Sequence, residues 1–391
     1  MPDCDALIIG AGLAGLVTAR QLARSGHRVS IVDIKPDVRA RVHTTGIFVR
    51  RTLEDFVLPE DCLGAPISRV VIHSPAGRTF ALQSAAAEFR IGRMGALYAR
   101  LLSDALHAGA TFLARTRYVG SAACASGTAV WLERNGRRWR LRTPWLVGAD
   151  GARSHVARDL GLDRNTHWLI GVEEVFEGAM PDAAPALHCF IDPRIAPGYI
   201  AWVAHDGVCT HVGLAGEATG FEPGAALATF GQRVRSTFDF THARRTERRG
   251  GWIPVNGILR RIACSRGLLV GDSAGAVSPL TAGGLDGCVR LGHVAASVIS
   301  DALGGAGATA CAAYSGARYQ TRFATRRFMR AAIAKVRQRA LAEAAVLVLS
   351  VPPSRWLARH VFFGRGSFPD IDGVRHRDHP GSLEPRAEEG R

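Results

Sequence analysis

Gly10-Ala11-Gly12-Leu13-Ala14-Gly15 follows the apolar run Ala6–Ile9 and opens a helical pattern that continues to Arg24. A glycine-rich turn between strand and helix lets the backbone approach closely. It also points the helix's unpaired N–H groups at an anion, the arrangement that holds the pyrophosphate of a dinucleotide. With 44 glycines in 391 residues, this spacing arises easily by chance, so its context carries the weight. A second strand-like run, residues 27–33, ends in Asp33. An acid about 20 residues after the turn accepts hydrogen bonds from a ribose diol.

Two later strand ends also deliver acids. Residues 145–147 run into Gly148-Ala149-Asp150-Gly151-Ala152-Arg153-Ser154, with Arg158 one turn further on; Asp-Gly at this place is equally a plain turn signal. Residues 267–270 run into Gly271-Asp272-Ser273-Ala274-Gly275, which places Asp272 to hold a ribose or ribityl hydroxyl. Ser278-Pro279-Leu280-Thr281-Ala282-Gly283-Gly284-Leu285 then leads into a helix. Its positive N-terminus suits the negative charge that collects near N1 and the C2 carbonyl of a reduced flavin.

The elements that must position these residues alternate in type. Short β-rich runs at residues 6–9, 27–33, 145–149 and 267–270 are interleaved with helical patterns at 13–24, 94–108 and 285–300, which predicts an α/β core with a parallel sheet. From about 165 to 252 apolar and polar residues alternate, as in His211-Val212-Gly213-Leu214-Ala215, and this predicts an inserted, mainly antiparallel β domain. The expected layout is a discontinuous nucleotide-binding domain over 1–164 and 253–310, with part of the second domain inserted around 60–95. That second domain spans 165–252; a helical region covers 311–368 and a loose polar tail 369–391.

Lysine and arginine exceed the acids by 15, which calls for an anionic partner: a dinucleotide phosphate, an anionic membrane surface or nucleic acid. Nucleic acid is disfavoured, because the basic residues are dispersed and no recognition module is present. The eight cysteines form no C-x-x-C pair, so neither a zinc site nor a redox dithiol is expected, and a reduced cytoplasmic chain fits best. Asp3 and Asp5 precede the first apolar run, unlike a secretory signal, and residues 340–351 fall short of the ~20 needed to span a bilayer. In residues 326–340, Met329, Ile333, Val336 and Ala340 share one helical stripe bordered by Arg326, Arg330 and Arg337. Such a helix either caps a core or lies peripherally on the inner face of an anionic membrane. His43, His205 and His211 lack metal-ligand spacing or a partnered nucleophile and are expected to be satisfied structural histidines.

The three motifs occur in the order and at the approximate separations of the para-hydroxybenzoate hydroxylase-like flavoproteins, which this chain resembles up to about Arg339. The resemblance implies a Rossmann-type FAD-binding domain with a parallel sheet, an inserted, mainly antiparallel β substrate domain and C-terminal helices. It also implies that Gly10, Gly12, Ala14, Gly15 and Asp33 contact the ADP half of FAD. Asp150 and Gly151 then lie near the pyrophosphate, and Gly271 and Asp272 hold the flavin chain. Pro279, Gly283, Gly284 and Leu285 form the flavin loop, and Arg41 and Arg93 approach the flavin. Arg41 and Arg93 fit solvated or salt-bridged surface positions equally well. Within this superfamily, Pro197-Gly198-Tyr199-Ile200-Ala201-Trp202-Val203-Ala204 is similar to the tyrosine-x-tryptophan strand of geranylgeranyl reductases, so Tyr199 and Trp202 are expected to shape an apolar pocket. Strand alternation would turn one of the two into the core.

Two departures bear on substrate and proton donor. Ala204 and His205 stand where family members carry an aromatic residue and a proline, and Arg41-Val42-His43-Thr44-Thr45-Gly46 lacks the cysteine many members have near the flavin. The resemblance implies reduction of carbon–carbon double bonds in an apolar or lipid isoprenoid, with the flavin passing on a hydride. No second G-x-G-x-x-G follows a strand, so NAD(P)H would visit as a transient donor. Two alternatives stay open: an NAD(P)H-dependent monooxygenase acting on an aromatic or polyketide, and a flavin-holding partner subunit without turnover.

Overall fold

The computed structural model describes residues 1–181, 184–306 and 311–364; the tail from 369 lies outside the described residues. In chain order it runs β1 (Ala6–Ile9), α1 (Leu13–Arg24), β2 (Val29–Val32), β3 (Ile47–Val49), α2 (Arg50–Asp55), β4 (Arg69–His73), β5 (Thr79–Gln83), β6 (Phe89–Ile91) and α3 (Met94–His107). Then come β7 (Thr111–Leu113), β8 (Arg117–Cys124), β9 (Gly127–Arg134), β10 (Arg137–Thr143), β11 (Trp145–Gly148), α4 (His155–Asp159), β12 (Trp168–Glu177), β13 (Ala186–Phe190) and β14 (Ala201–His205). β15 (Cys209–Glu217), α5 (Pro223–Thr237), β16 (Arg244–Pro254), β17 (Ala263–Cys264), β18 (Gly267–Leu269) and α6 (Leu285–Asp301) follow, and three further helices cover Ala324–Ala334, Arg339–Ser350 and Pro352–Phe363.

A six-stranded sheet in the order β17-β18-β11-β1-β2-β7 forms the first layer. Its strands β18, β11, β1, β2 and β7 pair in parallel, and only β17 runs against its neighbour. β1 and β11 are wholly buried short apolar runs, as expected of strands covered on both faces. α1 packs between this sheet and α6 and α3, so residues on nearly all its sides are buried, and the helix carries no polar face for solvent. Even Arg20 on α1 is sealed in, paired with Asp104 of α3 at 3.2 Å.

The second layer is a seven-stranded sheet, β16-β12-β15-β14-β13-β4-β5, antiparallel except where β13 meets β4. Residues 69–83 therefore sit in the same sheet as residues 168–254 although about a hundred residues separate them, because β4 and β13 pair edge to edge. α5 covers one face of this sheet through Leu227, Phe230 and Val234. A separate meander, β8-β9-β10, lies between β7 and β11 in sequence, and its outer strands β8 and β10 are only partly buried.

The basic stripe of residues 326–340 is not one helix. The helix Ala324–Ala334 ends, and Arg339–Ser350 begins anew after residues 335–338. Met329, Ile333 and Val336 face an internal cavity, whereas Ala340 does not. Among the described residues, no helix is long and apolar enough to cross a membrane.

Candidate active site

The parallel strands β18, β11, β1 and β2 end side by side, which places their following loops at one rim of the sheet, where α/β folds form their binding crevice. Backbone bonds lock the loops to neighbouring strands: Gly10 N–H donates to the Val32 carbonyl, Ala149 to Ile9 and Val270 to Gly148, at 2.8, 2.8 and 2.9 Å. The glycines of the first loop divide into two kinds. A Cβ at Gly10 would stand 2.2 Å from the Ala149 carbonyl oxygen, and one at Gly15 would stand 2.1 Å from that of Gly10, so these two allow strand and helix to touch. A Cβ at Gly12 would meet no protein atom within 4 Å, because Gly12 faces open space.

That space is a cavity of about 1270 Å³ lined by both main sheets and the C-terminal helices. Gly10, Gly12, Ala14, Asp33 and Arg41 line it on the side of β1 and β2; Asp150 and Gly151 line it after β11. Asp272, Gly283, Gly284 and Leu285 contribute from the third motif, and Tyr199 and Trp202 from the second sheet. Gly15, Gly271, Pro279 and Arg93 do not line it; the Arg93 guanidinium donates to the Asp61 carbonyl.

The residues present suit a flavin dinucleotide. No side chain caps α1, whose first residues line the cavity, and none caps α6 at Gly284, so both helix N-termini keep donors for anionic oxygens. Asp33 accepts from Ala11 N–H at 2.7 Å and Lys35 N–H at 2.8 Å, which fixes the carboxylate in the cavity wall. Asp150, by contrast, is used inside the protein: Ser154 Oγ and the N–H groups of His155 and Val156 donate to it at 2.6, 2.7 and 3.1 Å. Burial pushes Asp150 up from the ordinary range against those bonds, so its part toward a ligand falls to the backbone of the turn. Asp272 has no such partners among the described residues. Burial alone pushes its carboxyl up to about 6, the condition of an acceptor waiting for a hydroxyl donor.

Tyr199 and Trp202 do not split between two faces. Tyr199 lies before β14 begins, in a turn, so the strand period does not apply to it. Its hydroxyl donates to the Thr281 carbonyl, and the Arg330 guanidinium stands 5.7 Å from its ring centre. Trp202 lies flat across the sheet over Gly213, where a Cβ would be 2.4 Å from the indole Cζ2. Gly213→Ala is therefore expected to lift the indole and to cost about 1–3 kcal/mol of stability. Paired thermal melts and intrinsic tryptophan fluorescence would show the loss and the repositioning together.

The flat indole reaches a group that sequence reasoning missed. Trp202 Nε1 donates to Glu173 Oε2 at 3.0 Å, and the Thr45 hydroxyl donates to the same oxygen. Glu173 Oε1 accepts from Arg249 Nε at 2.8 Å and lies 3.1 Å from His211 Nδ1; His211 Nε2 lies 3.1 Å from Asp206 Oδ2. Burial pushes Glu173 up, but His211, Arg249 and Thr45 outweigh it and hold the carboxyl at about 2. Burial pushes His211 down, but Glu173 and Asp206 outweigh it and hold the imidazole at about 9. His211 is thus more than a satisfied structural histidine. His43 and His205 have simpler roles, bonding the Gly250 carbonyl and the Gly207 N–H, each at 2.9 Å. No group of three or more metal-binding side chains occurs among the described residues.

The rest of the wall is apolar: Ile72 and Leu187 of the second sheet, with Ile191 just past β13, line it together with Val346, Leu349 and Phe362 of the last two helices. Cys189 also lines it, its thiol pushed up to about 12 by burial and so a neutral wall group.

Comparison with known proteins agrees with this arrangement. The family model described as FAD binding domain matches residues 3–325. Digeranylgeranylglycerophospholipid reductase of Methanothrix thermoacetophila is 26% identical over 77% of this chain and 78% of its own length. Digeranylgeranylglycerophospholipid reductase 1 of Methanopyrus kandleri is 29% identical over 77% and 81%. Among solved structures, a geranylgeranyl bacteriochlorophyll reductase-like protein from Thermoplasma acidophilum superposes with a TM-score of 0.80 at 18% identity, over 94% of this chain and 97% of that one. Aklavinone-11 hydroxylase in complex with FAD and aklavinone reaches 0.59 at 20% identity, over 78% and 63%; both likenesses concern the fold.

Proposed function

The chain belongs to the FAD-binding domain family, and from that premise we propose that it reduces carbon–carbon double bonds of an isoprenoid lipid. One observation carries the reading. One cavity of about 1270 Å³ is lined both by the open N-termini of α1 and α6 and by an apolar wall built by the last helices, which suits a hydrocarbon chain beside the dinucleotide site. The names of the sequence relatives, digeranylgeranylglycerophospholipid reductases, support the same substrate class.

In this reading the N–H groups at Gly12 to Ala14 hold the pyrophosphate, Asp33 the ribose diol and Asp272 a ribityl hydroxyl. The Gly284–Leu285 end of α6 faces the charge of the reduced ring, and Arg41 approaches from its loop. FAD, when bound and reduced, supplies the hydride, with NAD(P)H as its transient donor. Tyr199 and Trp202 orient the alkene, and the apolar wall excludes water from it.

Anaerobic spectroscopy tests the proposal. The flavin is bleached with NADPH or dithionite, then offered a geranylgeranyl lipid and, separately, air. Return of the yellow colour with the lipid alone, with a product two mass units heavier, supports reduction. Return with air only, and faster bleaching in the presence of an aromatic, would replace this reading by the monooxygenase.

Contact with a lipid surface belongs to the same proposal. Beside the cavity wall the last helices present Val348, Trp356 and Leu357, with 60%, 65% and 38% of their surfaces exposed, among Arg355 and Arg359. An apolar patch with a basic rim binds anionic bilayers. Trp356→Glu combined with Val348→Glu is expected to weaken binding to vesicles containing anionic phospholipid by about 10-fold or more, measured by co-sedimentation.

A further inference from the structure

The cluster around Glu173 lies on the cavity face of the second sheet, and its members come from five places: Thr45 from the loop before β3, Glu173 from β12, Asp206 from the β14–β15 turn, His211 from β15 and Arg249 from β16. Register accounts for the meeting. Glu173 pairs with Arg249 on one side and with Gly213 on the other, and Gly213 pairs with Trp202. Glu173, Thr45, Arg249 and Trp202 line the cavity, while His211 and Asp206 lie buried behind them.

His211 Nδ1 has two neighbours of opposite kind. Glu173 Oε1, 3.1 Å away, accepts a proton from it; Arg249 Nη2, 2.9 Å away, donates to it. A protonated Nδ1 is satisfied by the carboxylate, and a deprotonated Nδ1 by the guanidinium. The network therefore keeps its hydrogen bonds whether the proton sits on the ring or has left it, which an ordinary buried ion pair does not do. Asp206 fixes the other nitrogen, and its own Oδ1 is held by the N–H groups of Val208 and Cys209 at 2.8 and 2.7 Å. Val208 is largely exposed, which brings the turn bearing Asp206 to solvent.

Resting on the reductase reading, we propose that Glu173 delivers to the bound alkene the proton that accompanies the hydride, and that His211, oriented by Asp206, recharges Glu173. The π bond breaks and two C–H bonds form. Both electrons of one new bond come with the hydride from reduced FAD, replenished by an external two-electron donor of the nicotinamide class. The other new bond uses the π electrons and a proton released by the Glu173 carboxyl. Glu173 recovers its proton from His211 Nδ1, Arg249 then donates into the vacated lone pair, and solvent reprotonates His211. At rest Glu173 is ionised and His211 carries the proton, so Glu173 takes that proton from His211 Nδ1 as it delivers one to the alkene. Thr45, donating to Oε2, holds the carboxyl toward the cavity.

Four charged or titratable groups set the pH response of His211: Glu173 and Asp206 favour its charged form, while Arg249 and the neighbouring His205 oppose it. Glu247 reaches Arg249 at 3.7 Å and tempers that opposition. With its pKa held above the usual value, His211 stays charged through neutrality, so proton supply should fail only on the alkaline side, near pH 9.

The test uses the FAD-loaded full chain and its Glu173→Gln and His211→Gln variants. Imidazole ¹⁵N NMR of the oxidised proteins reads the network without turnover. One histidine titrating near 9 is expected in the parent protein, absent in His211→Gln and moved down in Glu173→Gln. Anaerobic single-turnover reoxidation by a geranylgeranyl lipid should fall about 100-fold or more in Glu173→Gln. In His211→Gln its alkaline limb should move to lower pH. Variants that hold stoichiometric FAD and reoxidise at the parent rate with the parent pH profile would overturn the proton assignment and leave the reductase reading standing. A parent protein that the lipid does not reoxidise would remove both.

Discussion

Gly12→Val is expected to yield a folded protein that binds FAD roughly 10- to 100-fold more weakly than the parent. The substitution inserts a branched side chain where a Cβ meets no protein atom, at a residue with φ −83° and ψ −178°, extended backbone that valine adopts readily. Nothing in the apoprotein resists it. The space it fills, however, is the part of the cavity where the N-terminus of α1 offers its free N–H groups, and a ligand backbone there must touch the glycine itself. Overpacking costs about 1–3 kcal/mol, which weakens FAD by roughly 10- to 100-fold. The neighbouring glycines provide the contrast. Gly10→Val drives its Cβ into the Ala149 carbonyl, so this protein should lose its fold together with its flavin. Thermal melts with and without added FAD, alongside the absorbance ratio of flavin to protein, separate the two outcomes. A Gly12→Val protein with the parent's FAD affinity would remove the pyrophosphate from this turn.

The contrast also explains what could be read from the chain directly. Gly10 to Gly15, Asp33, Asp272 and the loop to Leu285 are local signals: strand, turn and helix start are contiguous, so the residue types announce the geometry. The α/β class with its parallel sheet and antiparallel second sheet was legible for the same reason, from alternation along short segments. Residues whose meaning depends on pairing between distant strands were not. Thr45, Glu173, Asp206, His211 and Arg249 carry no spacing in common, and only the registers of β12, β14, β15 and β16 gather them. The signal that could have pointed there is Glu173 itself, an acid with the same alternation phase as Leu169, Gly171 and Val175 on the buried face of β12. The three-stranded meander of residues 117–143 escaped because its arginines sit on exposed positions that read as loop. Tyr199 was misassigned to a strand that starts two residues later, which turned a shared cavity wall into an expected split.

Asp272 offers the second large effect, and its sign can be worked out in full. Burial holds its native carboxyl at about 6, against an ordinary 3.8. Between those two values the folded apoprotein binds more protons than the unfolded chain, so stability falls as the pH rises through that window. The penalty is absent below about pH 4 and complete above about pH 6. At ~1.4 kcal/mol per unit the shift amounts to about 2–3 kcal/mol. Asp272→Asn removes the titrating charge and keeps the shape. The variant apoprotein should therefore be more stable than the parent by about that amount at pH 7 and no more stable at pH 4, as urea unfolding at the two values would show. FAD reverses the order. A ribityl hydroxyl that donates to the carboxylate satisfies the buried charge, and a hydrogen bond to a charged group contributes about 1.5–3 kcal/mol, so the variant should bind FAD roughly 10- to 100-fold more weakly in calorimetry. A protein that is stabilised without its cofactor and weakened with it identifies a carboxylate held in place for binding at the expense of the apoprotein. Equal FAD affinity in parent and variant would mean that Asp272 faces no ligand hydroxyl, and the flavin chain would then have to run along the Asp33 side of the cavity instead.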